Sequence, residues 1–122
     1  MTELFVNGEG MRGGGVHHNI AGHPFLGLVR TAPAYRFFSV REEFPGIAPG
    51  GTAAVVGELY DVPLAVLAEK FLPDEPPELE LGVIRLDDGR AVLSMVLRPD
   101  EVASGRHADI SAAGDWRAHR RA

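Results

Sequence analysis

Residues 79–97 read LELGVIRLDDGRAVLSMVL and predict a β-hairpin. Two apolar runs, Leu79 to Leu86 and Ala91 to Leu97, flank a short turn in which Gly89 can adopt a positive φ. Ser94 interrupts the alternation of the second run, so we expect that strand to be buried on both faces. Strands joined by so short a turn pair antiparallel, and the hairpin therefore favours an antiparallel sheet.

Further elements are predicted on the N-terminal side of this hairpin. The strongest strand is Thr52 to Asp61, and Tyr35 to Val40 is rich in aromatic and β-branched residues. Phe44 to Gly51 carries the prolines and glycines that are typical of a loop, and this loop could enclose a short extended piece. An apolar face with helical spacing, which ends before Pro73, predicts a short helix. Its members are Leu64, Leu67, Ala68 and Phe71.

These elements predict an α+β fold, a small and mostly antiparallel β-barrel with two or three short helices. Closure into a barrel would remove the exposed edges of the sheet. The strand Thr52 to Asp61 is expected at the centre of the sheet. One core is expected to contain Leu4, Val6, Leu26, Val56, Leu59, Leu81 and Val83.

Length and composition limit the classes of protein to which this chain can belong. A chain of 122 residues predicts one domain over residues 1–122. It has no cysteine, which excludes disulfides and thiol catalysis and suits a cytoplasmic protein. No apolar run is long enough to predict a membrane span. The net charge is −5 and residues 58–80 are strongly acidic, so we expect no nucleic-acid partner.

Several motifs, taken in order, resemble the gamma-glutamylcyclotransferase-like superfamily. Leu4 to Gly13 resembles its first strand and loop, although the usual Tyr-Gly-Thr-Leu is Asn-Gly-Glu-Gly here. Leu81 to Gly89 and Asp109 to Ala118 resemble the C-terminal domain of allophanate hydrolase. The resemblance spans residues 3–119. The intervening matches are residues 25–27, 31–36, 44–46 and 56–60.

The resemblance implies a small-molecule-binding domain and leaves two hypotheses open. In the first, the domain is a cofactor-free enzyme that acts on a small carboxylate, amide or ureido compound by acid–base chemistry. In the second, it is a non-catalytic domain that binds or stabilises a separate amidase, or forms a homo-oligomer. Fold alone does not separate the two, because one fold can carry many functions.

The loop Asn7 to Gly15 is the first candidate site. Five glycines lie among residues 8–15, and glycines after a strand can present backbone N–H groups to an anion. The alternative is a tight loop that needs glycine for its backbone angles. The candidate substrate-binding residues in and after this loop are Asn7, Gly8, Gly10, Met11, Arg12 and His17.

Two acids are candidates for catalysis. Glu75 aligns with the catalytic glutamate of gamma-glutamylcyclotransferases, although their surrounding Leu-Asp-x-x-Glu-Gly is absent here. Neighbouring acids would raise its pKa if it is buried, and a raised pKa suits proton transfer. Glu9, beside the glycine loop, is the second candidate. For both, the alternative is a solvated surface charge.

Two further residues are expected to bind substrate, whereas the histidines are not expected to bind metal. Arg36 could hold a substrate carboxylate by a bidentate contact, with Tyr35 beside it; the alternative is a strand-face arginine that pairs with the acidic region. His17 and His18 are adjacent and would diverge on a helix. We therefore predict neither a metal nor a cofactor.

Overall fold

The computed structural model describes residues 2–121, and its α+β architecture confirms the predicted fold class. Met1 and Ala122, which the predicted domain includes, lie outside the described residues. The strands are β1 (Glu3–Val6), β2 (Phe25–Arg30), β3 (Tyr35–Val40), β4 (Phe44–Pro49), β5 (Val56–Asp61), β6 (Leu79–Arg85), β7 (Ala91–Leu97) and β8 (Ala108–Asp109). The α-helices are α1 (Leu64–Val66), α2 (Pro99–Ala103) and α3 (Trp116–Arg121), and a 3-10 turn covers His17–Asn19.

Two sheets carry the fold. The larger has the order β2-β5-β1-β7-β6, and the smaller has the order β4-β3-β8. The predicted hairpin of β6 and β7 is confirmed, with Leu79 opposite Leu97 and Arg85 opposite Ala91. The central strand is β1, which pairs antiparallel with β5 and parallel with β7. The strand predicted over Thr52–Asp61 begins only at Val56 and, as β5, is an interior strand next to the middle one.

The larger sheet curls without closing, so the predicted barrel is not confirmed. Its edge strands, β2 and β6, meet at one end only, where an isolated bridge pairs Thr31 with Leu86. Beyond this bridge both strands are edges within residues 2–121. The stretch predicted as a loop, Phe44 to Gly51, is instead mostly strand β4, which pairs with β3 from Tyr35–Pro49 to Val40–Phe44. Its prolines are tolerated because β4 is an edge strand.

The predicted helix is present, but its buried face differs. After α1 the chain continues as a π-helical segment, Leu67–Phe71, and a 3-10 turn, Leu72–Asp74. Leu67 and Phe71 are buried, whereas Leu64 is 63% exposed. The change from α to π geometry shifts the rotation of the later residues, so a face counted at α-helical spacing does not stay on one side.

The core lies between the sheets and the helical segment. It includes Leu4, Phe5, Ile20, Phe37, Ile47, Leu59, Tyr60, Leu67, Phe71 and Trp116. Leu26, Leu81 and Val83, predicted in this core, are exposed, and Val56 is half-buried. Leu26 lies at an irregularity of edge strand β2, and Leu81 and Val83 lie on the uncovered face of edge strand β6.

Candidate functional site

A cavity of about 170 Å³ opens where the glycine loop, the β3–β4 hairpin, strand β7 and the end of the helical segment meet. Four of the predicted site residues on the glycine loop line it, Asn7, Gly8, Glu9 and Gly10, and so does Glu75. The structure therefore brings together residues that lie almost seventy positions apart in the chain. The other lining residues are Phe5, Val6, Val16, Glu43, Phe44, Pro45, Phe71, Asp74, Pro76, Leu79, Ser94 and Met95.

The glycine loop is shaped by close approach to the β3–β4 hairpin. A Cβ atom on Gly8 would lie 2.4 Å from Cδ of Pro45, so no side chain fits there. The loop turns back on itself, because Met11 N–H donates to the Gly8 carbonyl at 3.1 Å. His17 Nδ1 lies 2.9 Å from the Gly10 carbonyl oxygen and ties the following 3-10 turn to the loop. His17 therefore holds the loop from outside the cavity.

Three backbone N–H groups of this loop have no hydrogen-bond acceptor among the described residues. Within residues 2–121, the N–H groups of Gly8, Glu9 and Gly10 donate to no protein acceptor. Buried N–H groups are almost always hydrogen-bonded, so free donors beside a cavity are suited to an anion or a carbonyl oxygen.

Asn7 adds a side-chain donor to the same wall. The residue is 8% exposed, and its Nδ2 is buried without a hydrogen-bond partner among the described residues. Burial of an unpaired amide donor costs about 1–3 kcal/mol. A ligand oxygen that reached Nδ2 after a small movement of the side chain would satisfy this group and recover part of that cost.

Glu75 is half-buried at the cavity wall. Burial, followed by the negative charge of Asp74, raises the pKa of Glu75 to about 7. Asp74 is itself held in place by Asn19, whose Nδ2 donates to its Oδ2 at 2.9 Å. Near neutral pH, Glu75 therefore exists in both its acid and its carboxylate forms, which is the state that proton transfer requires.

Glu9 lies on the cavity wall, but its carboxylate is already occupied. Oε1 accepts a hydrogen bond from Gly15 N–H at 3.1 Å, and Oε2 accepts one from the indole Nε1 of Trp116 at 2.9 Å. These contacts join the glycine loop to helix α3. The geometry therefore places Glu9 as an anchor of the loop and leaves Glu75 as the acid with a free carboxyl group.

The β3–β4 hairpin supplies the opposite wall through Glu43, Phe44 and Pro45. Its turn contains two non-glycine residues with positive φ, Arg41 at 54° and Glu42 at 58°. Such angles are unfavourable for ordinary side chains and persist only where contacts hold them. Glu42 supplies those contacts, because its side chain meets Ser39 and His119.

The remaining predicted substrate-binding residues lie outside the cavity lining. Met11 is buried in the core, and the Tyr35 hydroxyl accepts a hydrogen bond from Arg85 N–H at 2.8 Å. The guanidinium of Arg36 stacks over the ring of Phe38, 4.8 Å from its centroid. Arg12 faces Glu58 at 3.3 Å. No lysine, arginine or histidine of the described chain lines the cavity.

Glu58 is a structural residue that the sequence analysis missed. It is completely buried in β5 and accepts hydrogen bonds from Arg12 N–H at 2.9 Å and from the Tyr60 hydroxyl at 2.9 Å, while Arg117 lies 3.2 Å away. Burial alone would raise the pKa of Glu58, but these hydrogen bonds and the charge of Arg117 outweigh it and lower the pKa. An acid inside an apolar strand was the available signal, because such a residue needs a partner.

Two residues of β7 that line the cavity, Ser94 and Met95, were not predicted as site residues, and their signal in the sequence is weaker than that of Glu58. Ser94 is 1% exposed and lines the cavity, and it is the residue that interrupts the apolar alternation of β7. Met95 beside it is half-buried and also lines the cavity, so the predicted burial of this strand on both faces is met only in part.

Two other features of the described residues bear on function. No group of three potential metal ligands occurs among residues 2–121. In the same part of the chain, no helix is long and apolar enough to cross a membrane.

Comparison with known proteins places this architecture in a family. Residues 2–121 match the family described as the allophanate hydrolase C-terminal domain. The crystal structure of c4763, a uropathogenic E. coli-specific protein, is 33% identical, with a TM-score of 0.90 over 98% of this chain and 95% of that chain. No curated protein matches the chain.

More distant structures share the fold. Kluyveromyces lactis allophanate hydrolase is 21% identical with a TM-score of 0.87, covering 98% of this chain and 21% of that chain. An AIG2-like protein from Mus musculus is 22% identical with a TM-score of 0.59, covering 84% of this chain and 82% of that chain. The chain therefore belongs to the allophanate hydrolase C-terminal domain family.

Proposed function

We propose that the cavity binds a small amide, ureido or carboxylate compound and that Glu75 moves a proton on it without a cofactor. The observation that carries this proposal is the presence, in one cavity, of free hydrogen-bond donors and an acid that titrates near neutral pH. Strongly perturbed acids in clefts are a common mark of functional sites.

The orientation of the ligand in this proposal follows from the hydrogen-bond donors of the loop and from the acid Glu75. An acceptor oxygen of the ligand faces the Asn7 amide and the N–H groups of Gly8 to Gly10. These donors are fixed by the folded loop, so they can stabilise negative charge that develops on that oxygen. The lining has no cationic side chain, so backbone and amide donors, rather than an arginine, would bind a ligand carboxylate.

Glu75 supplies the proton transfer. As a carboxylate it can accept a proton from an attacking group, and as an acid it can donate one to a leaving nitrogen. Allophanate, for which the Kluyveromyces lactis relative is named, is a ureido compound that carries a carboxylate, which supports this substrate class.

A second candidate function is a non-catalytic domain that binds a separate amidase. In the Kluyveromyces lactis protein the matching region covers 21% of the chain, so there it is one part of a larger polypeptide. The exposed apolar residues Leu81 and Val83 on β6 would suit such a contact.

Binding can be tested by calorimetry with N-acetylglycine and N-carbamoylglycine, an amide and a ureido carboxylate. We expect Asn7→Ala to weaken binding about tenfold, the loss of one good hydrogen bond. Turnover of each probe is followed by NMR. Glu75→Gln should abolish turnover, whereas the matched control Glu69→Gln, at an exposed helical position, should leave it unchanged. Absence of binding by both probes, or turnover that survives in Glu75→Gln, would overturn the proposal.

A further inference from the structure

A second cavity of about 300 Å³, which is shallow and open to solvent, adjoins the first cavity at Glu75. It shares four lining residues with the first cavity, Glu75, Pro76, Leu79 and Met95. The two spaces are therefore neighbours, and Glu75 is the polar residue that they share.

The chemistry of the two cavities differs. The first holds the Asn7 amide and the loop N–H groups, whereas the second adds the apolar side chains of Leu72 and Leu81. Leu81 is 39% exposed although it is a large aliphatic side chain. The second cavity thus adds apolar contact area next to the polar side chains of Glu80 and Arg98.

The positive charge that lines the second cavity is offset by an acid of the protein. Arg98 carries this charge, but its Nε donates to the Pro77 carbonyl at 2.8 Å and its guanidinium pairs with Glu80 at 3.2 Å. Its charge is therefore matched within the protein. A ligand group beside Arg98 has no unpaired cation to meet and needs no charge of its own.

The volumes of the two cavities also favour a single ligand that occupies both. Ligand cavities of proteins usually span roughly 300–1,000 Å³. The first cavity, at about 170 Å³, is smaller than this range, but the two together fall within it. A ligand that fills only the first cavity would leave the apolar wall of the second in water.

We propose that the second cavity receives an uncharged apolar tail of the same ligand whose polar head occupies the first cavity. The substrate is then a small acylated or alkylated amide or ureido compound, with its polar bond beside Glu75 and its aliphatic part against Leu81. This inference rests on the proposed function, because it needs the polar head to bind first.

The test compares N-acetylglycine with N-hexanoylglycine by calorimetry on the whole chain. The longer probe adds four methylene groups, and each one buried tightens binding up to about fourfold. Since partial burial is enough for a clear effect, we expect N-hexanoylglycine to bind at least about tenfold more tightly.

Two variants locate the tail. Leu81→Gln places a polar group of similar size in the second cavity and should cancel most of the gain for N-hexanoylglycine while changing N-acetylglycine binding less than about twofold. Val83→Gln is the matched control, because Val83 lies on the same strand, is 66% exposed and does not line the cavity. It should alter neither affinity. Thermal unfolding of both variants checks that they fold.

The outcomes separate the two proposals. If N-acetylglycine binds but the longer probe binds no more tightly, the second cavity is not a tail site and only this inference fails. The inference also fails if the gain survives Leu81→Gln. If neither probe binds, the proposed function fails and this inference fails with it.

Discussion

The indole Nε1 of Trp116 donates a 2.9 Å hydrogen bond to Oε2 of Glu9, across 107 positions of the chain. This bond joins the last helix to the glycine loop that lines the cavity. Trp116 is 2% exposed, so its indole cannot exchange this partner for water. The glycine loop that lines the cavity is therefore held in place by a helix that is distant from it in the sequence.

Replacement of Trp116 by phenylalanine should weaken both the fold and the cavity. The variant loses the indole N–H and part of the buried ring, and we expect a loss of about 2–4 kcal/mol in the free energy of unfolding. Urea denaturation measures it. Glu9→Ala, which removes the acceptor, should cost less in the Trp116→Phe background than alone, because both changes break the same hydrogen bond. Fully additive effects would show that the bond does not couple the helix to the loop.

Replacement of Glu75 by glutamine should stabilise the protein in a pH-dependent way. The folded-state pKa of Glu75 is about 7, above its ordinary value of 4.5, so folding favours the protonated form. Below pH 4 the carboxyl is protonated in both states and Glu75 costs nothing. Between about pH 4.5 and 7 the unfolded state releases this proton while the native state retains it, so stability falls by roughly 2–3 kcal/mol over that range and stays at the lower level above it.

The measurement is the free energy of unfolding of wild type and Glu75→Gln at pH 4 and pH 8. The two proteins should be equal at pH 4, and the variant should be more stable at pH 8. Glu69→Gln, at an exposed position, should show no such divergence. A variant that is less stable than wild type at pH 8 would show that the native state favours the charged form.

Glu58 should make the protein sensitive to acid. Its pKa is lowered in the folded state, so its contribution to stability is complete above the ordinary glutamate pKa and is lost as pH falls through the folded value. Glu58→Gln weakens the contacts with Arg12 and Arg117 and should cost about 1–3 kcal/mol at pH 7. The difference between the two proteins should shrink as unfolding is measured at lower pH. A difference that stays constant down to pH 2 would contradict this assignment.

Gly8 should not tolerate a side chain. Alanine there would place Cβ within 2.4 Å of Pro45 and push the loop away from the hairpin, which should cost about 1–3 kcal/mol. Gly15→Ala is the matched control, because its Cβ would meet only the Glu9 carboxylate oxygen at an ordinary 3.6 Å. Thermal denaturation should show a clear loss for Gly8→Ala and a small effect for Gly15→Ala. Equal effects would mean that glycine acts at both positions through backbone freedom alone.

Much of the secondary structure could be predicted from local pattern. The β6–β7 hairpin follows from two apolar runs around Gly89, and β3 from its aromatic and β-branched residues. Strand β4 was missed because its prolines and glycine are typical of loops, and the antiparallel pairing with β3 overrides that preference. Leu81 and Val83 were misplaced because strand alternation does not show which face stays uncovered.

The candidate site was only partly predictable. Asn7, Gly8, Gly10 and Glu75 were singled out from the sequence and line one cavity. Arg36 was also predicted to bind substrate. It does not line the cavity, and its guanidinium stacks over the ring of Phe38. Residue type suggests which chemistry is possible, whereas the direction of a side chain depends on neighbours that are distant in the chain.

The sequence by itself determined which segments form strands, where the main hairpin turns, and that the loop after β1 is rich in glycine, since these depend on residues close in the chain. Only the tertiary structure distinguishes the surroundings of Glu9 from those of Glu75, and this difference supports our proposal that Glu75 is the acid–base group. The two acids look alike in sequence, but Trp116 and Gly15 bind the carboxylate of Glu9, while burial at the cavity wall raises the pKa of Glu75. Burial and hydrogen bonding between distant segments exist only in the folded chain, and the assignment of an acid–base group depends on both.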